Sequence, residues 1–329
     1  MAEKGIPGHG EKGGSMTMKT YGLIMCVFLL IVFFMAGCSS MGLGSIPLDT
    51  LKKKYAVTEK DFMRVQGIDI HFQDEGTGPV LVLFHGICAS LYTWDGWAEA
   101  LKGKYRIIRL DLPGWGLTGP VGEDAYDLDK MTSVMEEFFE ILGIDSFYLA
   151  GNSLGGYFAW NYALKHPEQV KRMILLDPVC YPQDPPWFIG LAKYPLLSFL
   201  PRYMLPRWMI TMNVKAVYGD RKRIDEKLYD LYFDLAMRKG NKGSYMDVFR
   251  FMAEECHKDN LSKGVSDIKT PVLLMYGAKD KWVPPEQGDL WKQDLPGVEC
   301  IIYEGVGHVP MEEIPVQTAQ DADLFFNRS

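Results

Sequence analysis

Gly151-Asn152-Ser153-Leu154-Gly155 follows a short apolar run, Phe147–Ala150, and opens a segment of helical spacing, Leu154–Lys165. A serine between two glycines, set between a buried strand and a helix, predicts a sharp strand–turn–helix junction. The glycines permit the turn and close packing, and the serine hydroxyl projects from the end of the strand.

Outward from this junction the same alternation repeats. Val80–Phe84, Arg106–Leu110, Met173–Leu176, Val272–Tyr276 and Cys300–Tyr303 are further short apolar runs, and Met131–Leu142 has helical spacing. Continuous apolar strands alternating with helices predict an α/β fold, a mostly parallel central sheet with helices flanking both faces. Before it, Asp61–Val65 and Ile68–Gln73, separated by Gln66-Gly67, read as a hairpin. The alternation breaks once, between about Tyr181 and Val265, in a stretch of short helices rich in Trp, Tyr, Met and Arg. Pro185, Pro186, Pro195, Pro201 and Pro206 interrupt it, so its apolar part is not one membrane-spanning helix. It is expected to be a helical cap inserted at the carboxyl edge of the sheet.

A serine hydroxyl needs a base, and the base a carboxylate to orient it. His308 follows the run Cys300–Tyr303 and Asp280 follows Val272–Tyr276, so both are expected in loops at the carboxyl end of the sheet, where sites gather in open α/β folds. Asp177, at the end of Met173–Leu176, is the alternative acid, otherwise a strand-end or capping residue. Of the other histidines, His166 reads as a helix C-cap, His257 lies in the insertion, and His85 reads as a structural loop residue.

The chain has 329 residues, 47% of them apolar and 23% charged, with a net charge of −7. This is globular composition, and with no long basic stripe it excludes nucleic acid as a main partner. The first 37 residues read as a leader. Leu23–Met35 is an uninterrupted apolar run behind Lys19, short for a bilayer-spanning helix, and small residues follow it. Met35-Ala36-Gly37-Cys38 resembles the lipobox of bacterial lipoproteins, although Met35 stands where Leu is usual. That resemblance implies cleavage before Cys38, lipidation of Cys38, and a membrane-anchored protein of the cell envelope facing the periplasm or exterior. A single N-terminal membrane helix and a plain secretory signal are the alternatives, and Met16 or Met18 is a possible start. The expected organisation is a signal peptide over 1–37, a lipidated tether over 38–55, core over 56–180 and 266–329, and the cap over 181–265. Cys88, Cys180, Cys256 and Cys300 demand no disulfide, and no Cys/His spacing points to a metal.

From about Asp61 onward the chain resembles the α/β-hydrolase superfamily, of the kind with a helical cap. The matching pieces are His85-Gly86, Asp111-Leu112-Pro113-Gly114-Trp115-Gly116, Gly151-Asn152-Ser153-Leu154-Gly155-Gly156, Asp280, and Gly307-His308-Val309-Pro310. The resemblance implies Ser153 as nucleophile, no cofactor, and an oxyanion hole from the backbone amides of Ile87 and Leu154. The expected reaction is hydrolysis of a small-molecule carboxylic ester through an acyl-enzyme. Trp94, Trp115 and Trp187 are candidate pocket residues. Two other readings stand beside it. Gly151-Asn152-Ser153 with its double glycine is similar to carbon–carbon bond hydrolases of the meta-cleavage-product type, which usually carry Trp where this chain has Val309. The other is a non-catalytic envelope binding protein on the same fold.

Overall fold

The computed structural model describes Met1 and residues 41–122 and 126–328. The apolar run Leu23–Met35, expected to be part of a leader, and Cys38 lie outside the described residues.

Eight strands form one sheet: β1 (Phe62–Val65), β2 (Ile68–Glu75), β3 (Val80–Phe84), β4 (Arg106–Leu110), β5 (Phe147–Asn152), β6 (Val170–Leu176), β7 (Val272–Gly277) and β8 (Glu299–Tyr303). Their order is β1-β2-β4-β3-β5-β6-β7-β8. β1 and β2 pair antiparallel, as do β2 and β4, and every other pair is parallel. The expected hairpin turns at Gln66 and Gly67, with φ of 47° and 83°. Two successive residues with positive φ match the twist of a tight hairpin. The central strands carry the apolar runs because both of their faces are covered: every residue of β7 is buried, as are Leu81–Phe84 of β3.

Two helix pairs cover the sheet. Asp95–Leu101 packs on Pro315–Phe326, joined by a hydrogen bond from Trp97 Nε1 to Thr318 Oγ1 (2.8 Å). Leu128–Ile141 packs on Leu154–Lys165, where Phe139 meets Tyr162 edge-on.

Between β6 and β7 the chain leaves the sheet and forms Trp187–Gly190, Pro195–Phe199, Arg207–Val217, Glu226–Ala236 and Asn241–Glu255. Prolines begin several of these helices: Pro186 and Pro206 are N-caps and Pro195 is a first-turn residue. Proline is tolerated there because those amides have no intrahelical partner. The stretch before β1, expected as a tether, is fastened to this cap. Ile46 N donates to Met237 O (2.7 Å), Lys239 N donates to Ile46 O (2.9 Å), and Tyr55 hydroxyl donates to Asp234 (2.7 Å). Among the described residues no helix is long and apolar enough to cross a membrane.

Candidate active site

Ser153 sits at φ 54°, ψ −116°, directly after β5 and at the N-terminus of Leu154–Lys165. A side chain in this region costs about 1–3 kcal/mol and persists only where its surroundings enforce it. Here the turn is held by Ser153 N to Leu176 O (2.9 Å) and by Val179 N to Ser153 O (3.2 Å). The flanking glycines are needed for space. A Cβ on Gly151 would stand 2.4 Å from Gly155 O, and one on Gly155 would stand 2.4 Å from Phe84 O.

His308 lies in the loop after β8, and its Nδ1 is 2.6 Å from Asp280 Oδ2 in the loop after β7. The second oxygen of Asp280 accepts from Trp282 N (2.7 Å). A carboxylate cannot donate, so Nδ1 carries the proton and Nε2 the lone pair. Nε2 is buried with no hydrogen-bond partner among the described residues, so no bond joins it to Ser153. Such bonds are often long before substrate binds.

Three groups fix the histidine loop. Asn152 Nδ2 donates to His308 O (3.0 Å), and His308 N donates to Val217 O of the cap (2.7 Å). The buried carboxylate of Glu313 accepts from Gly307 N (2.8 Å), Gly219 N (2.9 Å) and Asp220 N (2.8 Å), tying the loop to the cap.

Asp177, the alternative acid, is wholly buried behind this pair at φ 45°, and its Oδ1 accepts from Gly277 N (3.0 Å). Its Oδ2 makes no hydrogen bond among the described residues. Burial first, and then the charge of Asp280, push its carboxyl well above the usual carboxylate range, which favours the neutral form. Asp177, Asp280 and His308 are the one cluster of potential metal ligands among the described residues, and its histidine nitrogen is already bonded to Asp280.

An apolar cleft lies within the cap, lined by Trp187, Phe188, Met209, Ile210 and Phe249 among others, and reaches the core at Cys88. At Cys88, Ile210 and Asn213 it meets a second cavity lined by Gly86, Ile87, Asn152, Trp282 and His308. Ile87 and Trp282 also line a third, which contains Ser153 and Leu154. The fold therefore brings together Ser153, His308, Asp280, Ile87 and Leu154, with Trp187 at the outer rim. Trp94 and Trp115 are elsewhere. Trp94 is buried edge-on against Trp97 (5.0 Å between rings), and Trp115 is buried under the cap against Tyr245 (4.3 Å). Neither lines these three cavities. Both loops do run near the carboxyl edge, but their indoles turn inward. His85 is structural, its ring bonded to Gly86 O and to Leu112 N.

The sequence reading passed over Asn152, Trp282 and Glu313. Asn152 and Trp282 stand one and two residues from groups already singled out, and that adjacency was the available signal. Glu313 gave none, because a charged residue in a first helical turn usually faces solvent.

A strained serine after β5, with the Asp and His at the ends of β7 and β8 of this strand order, decides the architecture. The chain has the α/β-hydrolase fold. A family model described as alpha/beta hydrolase fold matches residues 79–205. Pimeloyl-[acyl-carrier protein] methyl ester esterase of Nitrosomonas europaea is 26% identical over 75% of this chain and 96% of its own length. A 2-hydroxy-6-oxononadienedioate/2-hydroxy-6-oxononatrienedioate hydrolase of Paraburkholderia phymatum is 27% identical over 79% of this chain and 92% of its own. Among solved structures, a membrane phospholipase A described as a bacterial virulence factor superposes with a TM-score of 0.71 at 23% identity, covering 94% of this chain and 98% of that one.

Proposed function

We propose that the protein is a serine hydrolase that cleaves carboxylic esters through an acyl-enzyme. The observation that carries this reading is the 2.6 Å His308–Asp280 bond, which leaves an unpaired Nε2 beside the cavity wall shared with Ser153. Nε2 takes the Ser153 proton as the oxygen attacks the ester carbonyl, and the Ile87 and Leu154 amides receive the oxyanion. Each such donor contributes roughly 3–4 kcal/mol to the transition state. The imidazolium gives its proton to the departing alcohol, then the neutral ring activates water to release the acid. Asp280 keeps the tautomer and offsets the charge on the ring. The apolar cleft fits an apolar acyl or alcohol group.

A lipid anchor at Cys38, holding this site at the surface of the cell envelope, belongs to the same proposal. The Paraburkholderia relative supports the second reading, carbon–carbon bond hydrolysis, and Val309 after the histidine speaks against it.

The test is hydrolysis of p-nitrophenyl butyrate by the full chain in detergent, with fluorophosphonate labelling. Ser153→Ala is expected to lose about five to six orders of magnitude in turnover and to lose the label. Unchanged activity would reject the mechanism. Hydrolysis of ring-cleavage dienones in preference to esters would select the second reading.

A further inference from the structure

The cap leaves many large apolar side chains uncovered; Trp187, Leu197 and Met212 share one cleft, and Met212 and Trp208 share the groove beside it. Trp187, Tyr194, Leu196, Phe199, Tyr203 and Trp208 are all exposed, Leu196 to 86% and Trp208 to 60%. Monomeric proteins rarely leave such a patch in water.

Two further observations say what covers it. The described chain begins on this face. Gly42 O accepts from Leu205 N (3.3 Å), and Lys242 Nζ donates to Gly42 O (2.7 Å), Gly44 O (2.7 Å) and Tyr203 O (2.8 Å). Cys38 and the apolar run Leu23–Met35 lie just upstream. Three residues span at most about 11 Å, so anything that holds Cys38 in a bilayer keeps this face beside it. The rim is also basic: Arg207, Lys215 and Arg221 line a groove with Trp208 and Met212. Apolar side chains bordered by arginine and lysine suit the boundary between acyl chains and anionic headgroups.

We propose that this face lies on a lipid bilayer, and that the cleft opening through it admits acyl chains from the bilayer toward Ser153. Trp187, Leu197 and Met212 are exposed and line the cleft, so its mouth lies within the apolar face. The docking stands independently of the ester reading; the substrate class, esters of membrane lipids, rests on it.

The experiment reconstitutes the full chain in vesicles of phosphatidylethanolamine and phosphatidylglycerol carrying 5-doxyl phosphatidylcholine, and reads tryptophan quenching. Quenching is expected for the wild type and a several-fold smaller effect for Trp187→Phe/Trp208→Phe. No quenching, or quenching unchanged in that variant, overturns the proposal. A second readout uses Leu196→Glu/Leu200→Glu, neither of which lines the cleft. Hydrolysis of 4-methylumbelliferyl palmitate dissolved in the same vesicles should fall about tenfold, while p-nitrophenyl butyrate hydrolysis in detergent stays within twofold. Equal loss on both substrates, or no loss, overturns it. So does a cross-linked dimer that this variant abolishes without doxyl quenching, because a second copy would then cover the face. Failure of docking leaves p-nitrophenyl butyrate hydrolysis intact, whereas failure of the ester reading leaves the quenching intact.

Discussion

Asn152 Nδ2 donates at 3.0 Å to the carbonyl of His308, so the residue before Ser153 holds the His308 loop. The same amide donates to Leu176 O (3.1 Å), which makes one side chain a brace between β6 and the histidine loop. Asn152→Ala leaves the His308 carbonyl without its donor, while Leu176 O keeps Ser153 N (2.9 Å), a cost of about 1–3 kcal/mol for a buried unsatisfied group. Turnover of p-nitrophenyl butyrate should fall roughly 100-fold with KM little changed, since misplacement of about an ångström has that scale of effect. A change in KM alone would mean that Asn152 acts on binding and not on the base.

Asp280 and Asp177 should respond oppositely to amide substitution. Asp280→Asn replaces the acceptor on Nδ1 and favours the wrong tautomer, with an expected loss of about 10⁴ in turnover. Asp177→Asn mimics the neutral form that burial favours and should keep activity within a fewfold. Its signature is in stability. An unfolded Asp ionises near 3.9. Above that pH the unfolded chain has lost a proton that folded Asp177 retains, so wild-type stability declines as pH rises toward the raised folded value. The slope is about 1.4 kcal/mol per pH unit within the window. The Tm of Asp177→Asn relative to wild type should therefore rise as pH increases above the unfolded Asp value. A constant difference would show that Asp177 is ionised when folded.

Much of this architecture is legible in sequence because its cause is local. The apolar runs at Val80–Phe84 and Val272–Tyr276 are continuous since the strands are covered on both faces, and Leu154–Lys165 is a helix over the predicted span. The placement of Ser153, Asp280 and His308 at the carboxyl end of the sheet follows from motif and strand order. What local reading misses is orientation. Trp115 and Trp187 are both indoles in loop or cap context, yet one is sealed beneath Tyr245 and the other faces solvent at the cleft mouth. Glu313 is equally illegible, because its partners at Gly219, Asp220 and Gly307 meet only once the cap has folded back over the core.

Glu313→Gln tests that closure. The carboxylate accepts from three backbone amides and from Arg223 (3.0 Å). Glutamine keeps one carbonyl acceptor and brings an NH₂ donor against amides that are donors themselves. Hydrogen bonds to a charged group are worth about 1.5–3 kcal/mol each in net terms, so a loss of about 3 kcal/mol in unfolding free energy is expected by urea titration. Hydrogen exchange should quicken at both Gly219–Asp220 and Gly307. Acceleration at only one of the two would show that Glu313 does not couple the cap to the His308 loop.

Lys242 provides the last test, of the segment that leads into the cap. Its ammonium is buried, and burial draws its pKa below the ordinary lysine value. The three carbonyls of Gly42, Gly44 and Tyr203 replace the water it has lost. Lys242→Met keeps the length of the side chain and removes every donor, leaving those carbonyls to find water by releasing residues 41–46. Global stability should fall by only about 1–3 kcal/mol, because the buried charge is removed together with its bonds. The local effect should be larger: protease cleavage within Met41–Ile46 at least tenfold faster than in wild type, with p-nitrophenyl butyrate turnover changed far less, since Lys242 lines the outer cleft but bonds neither Ser153 nor His308. If the bilayer-docked face depends on this clamp, hydrolysis of the vesicle-borne palmitate ester should drop in the same variant. Cleavage at the wild-type rate would mean that the Ile46 pairing with Met237 and Lys239 suffices to hold the segment without Lys242.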